Sequence, residues 1–218
     1  MIIYQSNTLI PDHLAMKARE IFLTWPHANV IKQNDDQYYR KMMNNHSEKQ
    51  KFGNHTMTDT SWFPDDENYT AYLEELNNGT VPNKIYDEDV FVEVLNNYIG
   101  PKLEEITGLP KNPVTGRIDI NRFSCTRMPP GGHYRIHKDD WASRYGFVWY
   151  LNLNWKWDWG GLFLTVQGDG SAVVTRPAFN TLIINRHYID DDLPNPWHCV
   201  TRVEDHAKES RLSMIGFI

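Results

Sequence analysis

The chain is poor in cysteine and has neither a long apolar run nor an excess of positive charge, and each lack excludes a class of protein. Its two cysteines, Cys125 and Cys199, are too few for a disulfide framework and favour a reducing compartment. No apolar run approaches the length of a membrane span, and the first residues lack the basic and apolar regions of a secretion signal. We therefore expect a cytoplasmic protein with no membrane partner.

The net charge of -6 argues against a nucleic-acid partner. Phosphate binding needs clustered Lys and Arg side chains, and the chain has no basic stripe. A composition of 40% hydrophobic and 23% charged residues suits one domain with a sizeable core. We expect a single domain over residues 1–218, and nothing in the sequence indicates an oligomeric state.

The N-terminal half, residues 1–116, has the pattern of a mixed, partly helical segment. Apolar spacing predicts one helix from Pro11 to Leu23 and a second from about Asp87 to Ile106, which Gly100-Pro101 is expected to kink or split. A polar insert at about residues 33–83 separates them. We expect this insert to be ordered, because it contains several aromatic residues.

The C-terminal half, residues 117–218, changes to short apolar runs punctuated by Gly, Pro and Asn. Eight such runs are spaced as strands with turns between them, which indicates a β-sandwich or a jelly roll. The predicted strands are residues 118–126, 133–137, 146–153, 161–167, 172–175, 181–184, 198–203 and 211–217. The two halves together predict an α+β fold.

Two histidines and an aspartate are the candidate metal ligands of the chain. His137 and Asp139 are separated by one residue, so both point to the same face of a strand, and His198 lies on a different predicted strand. Two imidazoles and one carboxylate are the ligand set of a non-haem Fe(II) oxygenase, which leaves coordination positions open. In the alternative interpretation, His137 and Asp139 form a surface pair and His198 is a buried, hydrogen-bonded histidine.

Arg211 begins an alternating strand in which Arg, Ser, Ile and Phe share one face and Leu, Met and Gly share the other. An unpaired guanidinium on the interior face of a barrel is costly to bury. A dicarboxylate cosubstrate would supply its partner through a bidentate contact. A salt bridge to Asp or Glu on a neighbouring strand is the ordinary alternative.

The run from Tyr150 to Leu164 resembles the Tyr-Leu-Asn…Trp…Gly-Gly…Leu signature of the prolyl-4-hydroxylase-like 2-oxoglutarate/Fe(II) dioxygenases. Other motifs resemble that family in the same order, and the resemblance spans about residues 118–217. These motifs are Asn121-Arg122-Phe123 with the Pro-Gly turn after it, His137-x-Asp139, Pro177-Ala178-Phe179-Asn180, Trp197-His198, and Arg211-x-Ser213.

The resemblance implies a double-stranded β-helix, that is, a cupin-like jelly roll, as the catalytic core over residues 117–218. It also implies that N-terminal helices pack on the major sheet of this core. The iron ligands would be His137, Asp139 and His198, and the cofactors would be Fe(II), the cosubstrate 2-oxoglutarate, and O2.

The resemblance further implies a 2-oxoglutarate site in which Arg211 and Tyr150 bind the distal carboxylate. We expect the following residues to line the substrate pocket: Tyr134, Met128 and Trp141. Weaker supporting roles are expected for Thr181 and Asn152.

The chain departs from the family pattern after the second histidine. The spacing from His198 to Arg211 is longer than usual, so Arg202 remains a competing cation. His133, His187 and His206 are alternative ligands, but their positions in turns or polar loops favour solvated surface histidines.

The function implied by the resemblance is hydroxylation of an unactivated C–H bond in a prolyl residue of a peptide or protein. Hydroxylation of a free amino acid or another small metabolite is the alternative. Two less favoured alternatives are a nucleic-acid demethylase, against which the acidic charge argues, and a non-catalytic β-sandwich binding protein.

Overall fold

The computed structural model describes residues 1–24, 28–29, 59–60, 89–111, 113, 118, 122–137, 144–187 and 196–218. Its helices are α1 (Asp12–Thr24), α2 (Asp89–Val94) and α3 (Gly100–Thr107), with a π-helical turn at Leu95–Ile99 and a 3-10 turn at Trp157–Trp159. Its strands are β1 (Ile2–Ser6), β2 (Ala28–Asn29), β3 (Asp59–Thr60), β4 (Arg122–Met128), β5 (Tyr134–His137), β6 (Tyr145–Tyr150), β7 (Phe163–Val166), β8 (Ala172–Thr175), β9 (Thr181–Arg186), β10 (His198–Val200) and β11 (Arg211–Phe217).

The described strands form two antiparallel sheets. The larger sheet has the order β1-β9-β6-β11-β4-β3-β2, and the smaller has the order β5-β10-β7-β8. From β4 to β11 the chain passes repeatedly between the sheets, so that β4, β6, β9 and β11 lie in the larger one and β5, β7, β8 and β10 in the smaller. This eight-stranded antiparallel arrangement is consistent with the predicted jelly roll.

All eight predicted strands are found, and several of their bounds differ from the prediction at either end. The strand predicted over residues 146–153 ends at Tyr150, because the Asn152 side chain beyond it binds backbone groups of other segments. The strand predicted over residues 198–203 ends at Val200. The chain then forms a single bridge from Val203 to Gly160.

The central strands β6, β9 and β11 of the larger sheet are buried on both faces, and their side chains alternate between two apolar clusters. One cluster joins Trp149 and Leu212 of the sheet with apolar residues of the described helices, among them Phe22 and Leu103. The other cluster lies between the two sheets. We call the face of the larger sheet that looks toward the smaller one the inner face. Arg211 and Ile215 lie on the same face of β11, and Ile215 packs against the cluster between the sheets, so Arg211 lies on the inner face. The predicted alternation of this strand is confirmed.

The interruption predicted at Gly100-Pro101 is present as a π-helical turn. Pro101 has no N–H to donate, and the Gly100 N–H donates to the Leu95 carbonyl one residue farther back than in an α-helix. A side chain at position 100 would place its Cβ 2.8 Å from that carbonyl oxygen, so glycine allows the tighter approach. The apolar face of the segment nevertheless stays buried through Leu95, Ile99 and Leu103.

The predicted insert at residues 33–83 lies outside the described residues, except for β3. The division of a single domain into residues 1–116 and 117–218 stays a prediction. In the described part of the chain, no helix is both long enough and apolar enough to span a membrane.

Candidate active site

Arg211 is buried on the inner face, with 2% of its surface exposed. Its Nε donates to the Gly161 carbonyl at 2.9 Å, Nη1 donates to the Ser213 hydroxyl at 3.0 Å, and Nη2 donates to the Tyr150 hydroxyl at 3.3 Å. The guanidinium also lies over the Tyr150 ring, 4.9 Å from its centroid. Since a guanidinium has five N–H groups, one N–H on each terminal nitrogen is left for a further acceptor.

No carboxylate among the described residues forms an ion pair with Arg211. The salt bridge that the sequence left open as the ordinary explanation of Arg211 is therefore absent from the described part of the chain. An uncompensated buried cation is costly, and a bound anion would remove that cost. The contacts of Arg211 are all to neutral oxygens, so its positive charge stays available to such an anion.

Four hydroxyl groups lie side by side across the larger sheet next to Arg211. In the strand register, Ser213 is opposite Thr126 on one side and Tyr150 on the other, and Thr181 is opposite Tyr150. We call these four residues the hydroxyl row. Each of them is at most 5% exposed.

The Thr126 hydroxyl is buried and has no hydrogen-bond partner among the described residues. An unsatisfied buried hydroxyl is destabilising, and most such groups in folded proteins have a partner. A buried cation and an unused donor on neighbouring strands are the groups that a carboxylate needs. The residues present therefore fit the distal carboxylate of a small diacid such as 2-oxoglutarate.

Tyr150 is held in its neutral form by its surroundings. Burial raises the pKa of its phenol above the ordinary value of 10.0, and the nearby Arg211 charge opposes this effect without cancelling it. The phenol oxygen accepts from Arg211, so its own O–H remains a donor. Tyr150 can thus bind an anion together with Arg211, as the resemblance implied.

Asn152 fixes the backbone beside Arg211. Its side-chain oxygen accepts from the Leu212 N–H at 2.7 Å, and its amide group donates to the carbonyl oxygens of Leu212 at 3.1 Å and Pro177 at 2.8 Å. Asn152 is completely buried. It acts on the site only through the strand that carries Arg211, which agrees with the supporting role expected for it.

Gly161 packs directly against Arg211. It has a left-handed backbone, with φ of 62°, and a Cβ at this position would lie 3.1 Å from the Arg211 Cδ. Glycine therefore serves both the turn and the close approach. The neighbouring tryptophans divide by role: Trp155 and Trp159 are buried in edge-to-face contact, whereas Trp157 is exposed.

The two predicted histidine ligands lie on paired strands of the smaller sheet. His137 of β5 and His198 of β10 are directly opposite each other in the antiparallel register. The His198 ring is half-buried, its Nδ1 lies 3.3 Å from the Pro196 carbonyl oxygen, and it contacts the Phe163 ring. Because a carbonyl only accepts, Nδ1 is the donor of this contact and carries a proton.

The third predicted ligand, Asp139, lies outside the described residues, as does the predicted pocket residue Trp141. Of His137, the structure describes only the backbone. Among the side chains that are described, no three His, Cys, Asp or Glu residues form a metal-binding group. The set of His137, Asp139 and His198 therefore stays a prediction.

Burial distinguishes Arg202 from Arg211, and the assignment of the cosubstrate cation to Arg211 stays a prediction. Arg202 has 49% of its side chain exposed and pairs with Asp205 at 2.6 Å, and it also donates to the Gly131 carbonyl. It ties two surface turns together. Arg211 is thus the interior cation, despite its longer spacing from His198.

The predicted pocket residues Tyr134 and Met128 lie at different depths. Tyr134 is half-buried, packs against the cluster between the sheets, and is opposite Val200. Met128 is 1% exposed and is opposite Arg211. Met128 therefore lies deep, on the strand position opposite Arg211.

His187 is the residue that the sequence interpretation placed wrongly. It was expected on the surface, but it is 6% exposed and its ring stacks on that of His198. The expectation is confirmed for His206, which is largely exposed beside Asp158. The sequence did contain a signal for the burial of His187, because alternation along the strand places Ile183, Asn185 and His187 on the same face.

A sequence model described as the 2OG-Fe(II) oxygenase superfamily matches residues 123–218. No curated protein matches the chain. Among solved structures, the chain is similar to a prolyl-4-hydroxylase from Pseudomonas putida, with 17% identity, a TM-score of 0.50, and coverage of 98% of this chain and 90% of that one.

Two further solved structures are similar at lower scores. One is the viral collagen prolyl hydroxylase of Paramecium bursaria Chlorella virus-1, with 10% identity, a TM-score of 0.49, and coverage of 98% and 93%. The other is a prolyl hydroxylase of Trichoplax adhaerens solved with a hypoxia inducible factor peptide fragment, with 14% identity, a TM-score of 0.43, and coverage of 94% and 89%. At such identities, structural likeness shows the fold alone.

Proposed function

We propose that the protein is a dioxygenase of the 2OG-Fe(II) oxygenase superfamily, whose sequence model matches residues 123–218, and that it hydroxylates an unactivated C–H bond of a prolyl residue in a peptide or protein. The family uses Fe(II), 2-oxoglutarate and O2. The observation that carries the proposal for this chain is the buried Arg211, which has no carboxylate partner among the described residues and lies beside the unsatisfied Thr126 hydroxyl.

When bound, Fe(II) and 2-oxoglutarate supply the chemistry that couples oxidation of the diacid by O2 to attack on a C–H bond. Arg211 and the Tyr150 hydroxyl would bind the distal carboxylate, which fixes the position of the diacid in the pocket. Thr126 would donate to the same anion. His137, Asp139 and His198 would hold the metal, with the His198 Nδ1 proton retained by the Pro196 carbonyl.

The interior of the jelly roll excludes water from this chemistry. The hydroxyl row and Arg211 are covered by the cluster between the sheets, which includes Met128, Phe163 and Val200. Charges interact more strongly in such surroundings than in water. We propose also that the N-terminal helices form a layer on the outer face of the larger sheet, a proposal supported by the cluster that α1 and α3 share with Trp149 and Leu212.

The prolyl substrate is supported by the motifs that resemble the prolyl-4-hydroxylase-like family. The test is succinate formation from 2-oxoglutarate with Fe(II), measured with a panel of prolyl peptides, free amino acids and methylated oligonucleotides. We expect a prolyl peptide to stimulate succinate release and to gain the mass of one oxygen atom. Stimulation by a free amino acid alone would overturn the peptide substrate. If none of these substrates leads to succinate release, the iron site has to be re-examined.

A further inference from the structure

The proposed site gives no role to His187, although its ring is packed inside the jelly roll. The planes of the His187 and His198 rings are within 8° of parallel, and their centroids are 6.1 Å apart. Aromatic rings that stabilise one another are typically separated by about 4.5–7 Å. His187 also meets the Phe217 ring, 5.6 Å away and tilted by 53°. His187 therefore fills the space between the end of β11 and His198.

The neighbouring strand is built to admit this ring. A Cβ at Gly146 would lie 2.4 Å from Cε1 and 2.9 Å from Nε2 of His187, which is closer than side chains approach. Gly146 does not have a left-handed backbone, so its conformation does not require glycine. The absence of a side chain at this position is needed for the space that His187 occupies.

The same packing constrains the orientation of His198. Its ring contacts two others, His187 at a centroid distance of 6.1 Å and Phe163 at 5.7 Å, the latter tilted by 46°. Its Nδ1 is bound to the Pro196 carbonyl. Residues that orient a ligating histidine commonly affect metal affinity almost as much as the ligands do.

His187 is not placed as a further ligand beside His198. An imidazole binds a metal in the plane of its ring, along the lone pair of one nitrogen. The two rings are stacked in nearly parallel planes, and no three His, Cys, Asp or Glu side chains among the described residues form a metal-binding group. The geometry suits a residue that supports His198 through ring packing.

We propose that His187 is a positioning residue that holds the His198 imidazole in the orientation required for binding a divalent metal. This inference rests on the proposed function, because His198 is there an iron ligand. Gly146 leaves room for the supporting ring.

The test is titration of the purified chain with Co(II), whose visible absorption reports both binding and ligand geometry. We expect His187→Ala to weaken Co(II) binding by about tenfold or more and to change the absorption of the bound ion. His187→Phe retains a flat ring and is expected to bind close to wild type. His206→Ala removes an exposed histidine and serves as the matched control, with unchanged binding.

A second variant keeps the test independent of the folding of His187→Ala. Gly146→Ala is expected to displace the ring and to weaken Co(II) binding in the wild-type background. In the His187→Phe background it should weaken binding to a similar degree, because the ring is still present. Combined with His187→Ala, it should have no further effect, a non-additivity that shows the two positions act through one ring.

Two results would overturn the inference while the proposed function stands: wild-type Co(II) affinity and absorption in His187→Ala, or binding by His187→Phe as weak as that of His187→Ala. The second result would mean that the imidazole nitrogens matter and ring packing does not. A wild-type chain that binds neither Co(II) nor Fe(II) would overturn the proposed function together with this inference.

Discussion

The Nη2 of Arg211 donates to the hydroxyl of Tyr150, 3.3 Å away, while the guanidinium lies over the ring of the same tyrosine. One side chain thus uses Tyr150 both as a hydrogen-bond acceptor and as an aromatic surface. This pair defines the end of the pocket at which a carboxylate would bind.

Removing the charge of Arg211 should abolish tight binding of 2-oxoglutarate without unfolding the protein. Arg211→Met keeps the length of the side chain and removes the cost of burying the charge, which offsets the loss of the three hydrogen bonds that Arg211 donates. Loss of the charge-assisted contact should weaken 2-oxoglutarate binding by roughly 10–100-fold, equivalent to about 1.5–3 kcal/mol. Calorimetric titration measures this, and Arg202→Met is the control with unchanged binding. If Arg202→Met weakens 2-oxoglutarate binding and Arg211→Met does not, Arg202 is the cosubstrate cation.

Thr126→Val should have effects of opposite sign on stability and on cosubstrate binding. Valine fills the same volume and removes a buried hydroxyl that has no partner among the described residues, so the ligand-free protein should unfold at the same or a higher urea concentration. Binding of 2-oxoglutarate should weaken, because one donor is lost. The matched control is Thr107→Val, whose hydroxyl has two hydrogen-bond contacts and whose loss should be destabilising. Destabilisation by Thr126→Val would mean that the hydroxyl already has a structural role.

Tyr150 should make stability fall at alkaline pH. Because burial raises the pKa of its phenol above 10.0 in the folded protein, the unfolded chain releases this proton first as the pH rises through about 10. The folded state then binds more protons than the unfolded state, and the free energy of unfolding decreases with pH. Urea unfolding at pH values from neutral to above the ordinary phenol pKa should show a smaller decrease in Tyr150→Phe than in wild type. Equal decreases would contradict the buried, neutral phenol.

Asn152→Ala should be strongly destabilising. The substitution leaves the buried Leu212 N–H without its acceptor, and each buried polar group left unsatisfied costs about 1–3 kcal/mol. The midpoint of urea unfolding should fall clearly below that of wild type, and the exposed Asn154→Ala provides a control with little change. Equal midpoints for the two variants would rule out the anchoring of β11 by Asn152.

Local patterns were sufficient to predict the strands and the interior position of Arg211. Alternation in the segment from Arg211 to Phe217 is a property of consecutive residues, and the structure keeps it. The Gly100-Pro101 interruption was predictable for the same reason, since the missing N–H is intrinsic to proline. Arg202 and Arg211 could not be separated in this way, because burial depends on how distant turns pack against each residue.

The burial of His187 and the depth of Met128 depend on contacts between strands that are far apart in sequence. His187 is buried because Gly146 on β6 leaves space for it, and a single sequence gives no register between β6 and β9. Met128 lies deep because β4 pairs with β11 so that Met128 is opposite Arg211. The pairing of Thr126 with Ser213, and so the hydroxyl row, follows from that same register.

The most direct test of the central claim is anaerobic titration of the chain with Fe(II) in the presence of 2-oxoglutarate, followed by the charge-transfer absorption of the complex. We predict one Fe(II) bound per chain, loss of the absorption in His198→Ala, and a higher 2-oxoglutarate requirement in Arg211→Met. An absorption that survives in His198→Ala, or that never appears in the wild-type protein, would contradict an iron site beside the buried Arg211.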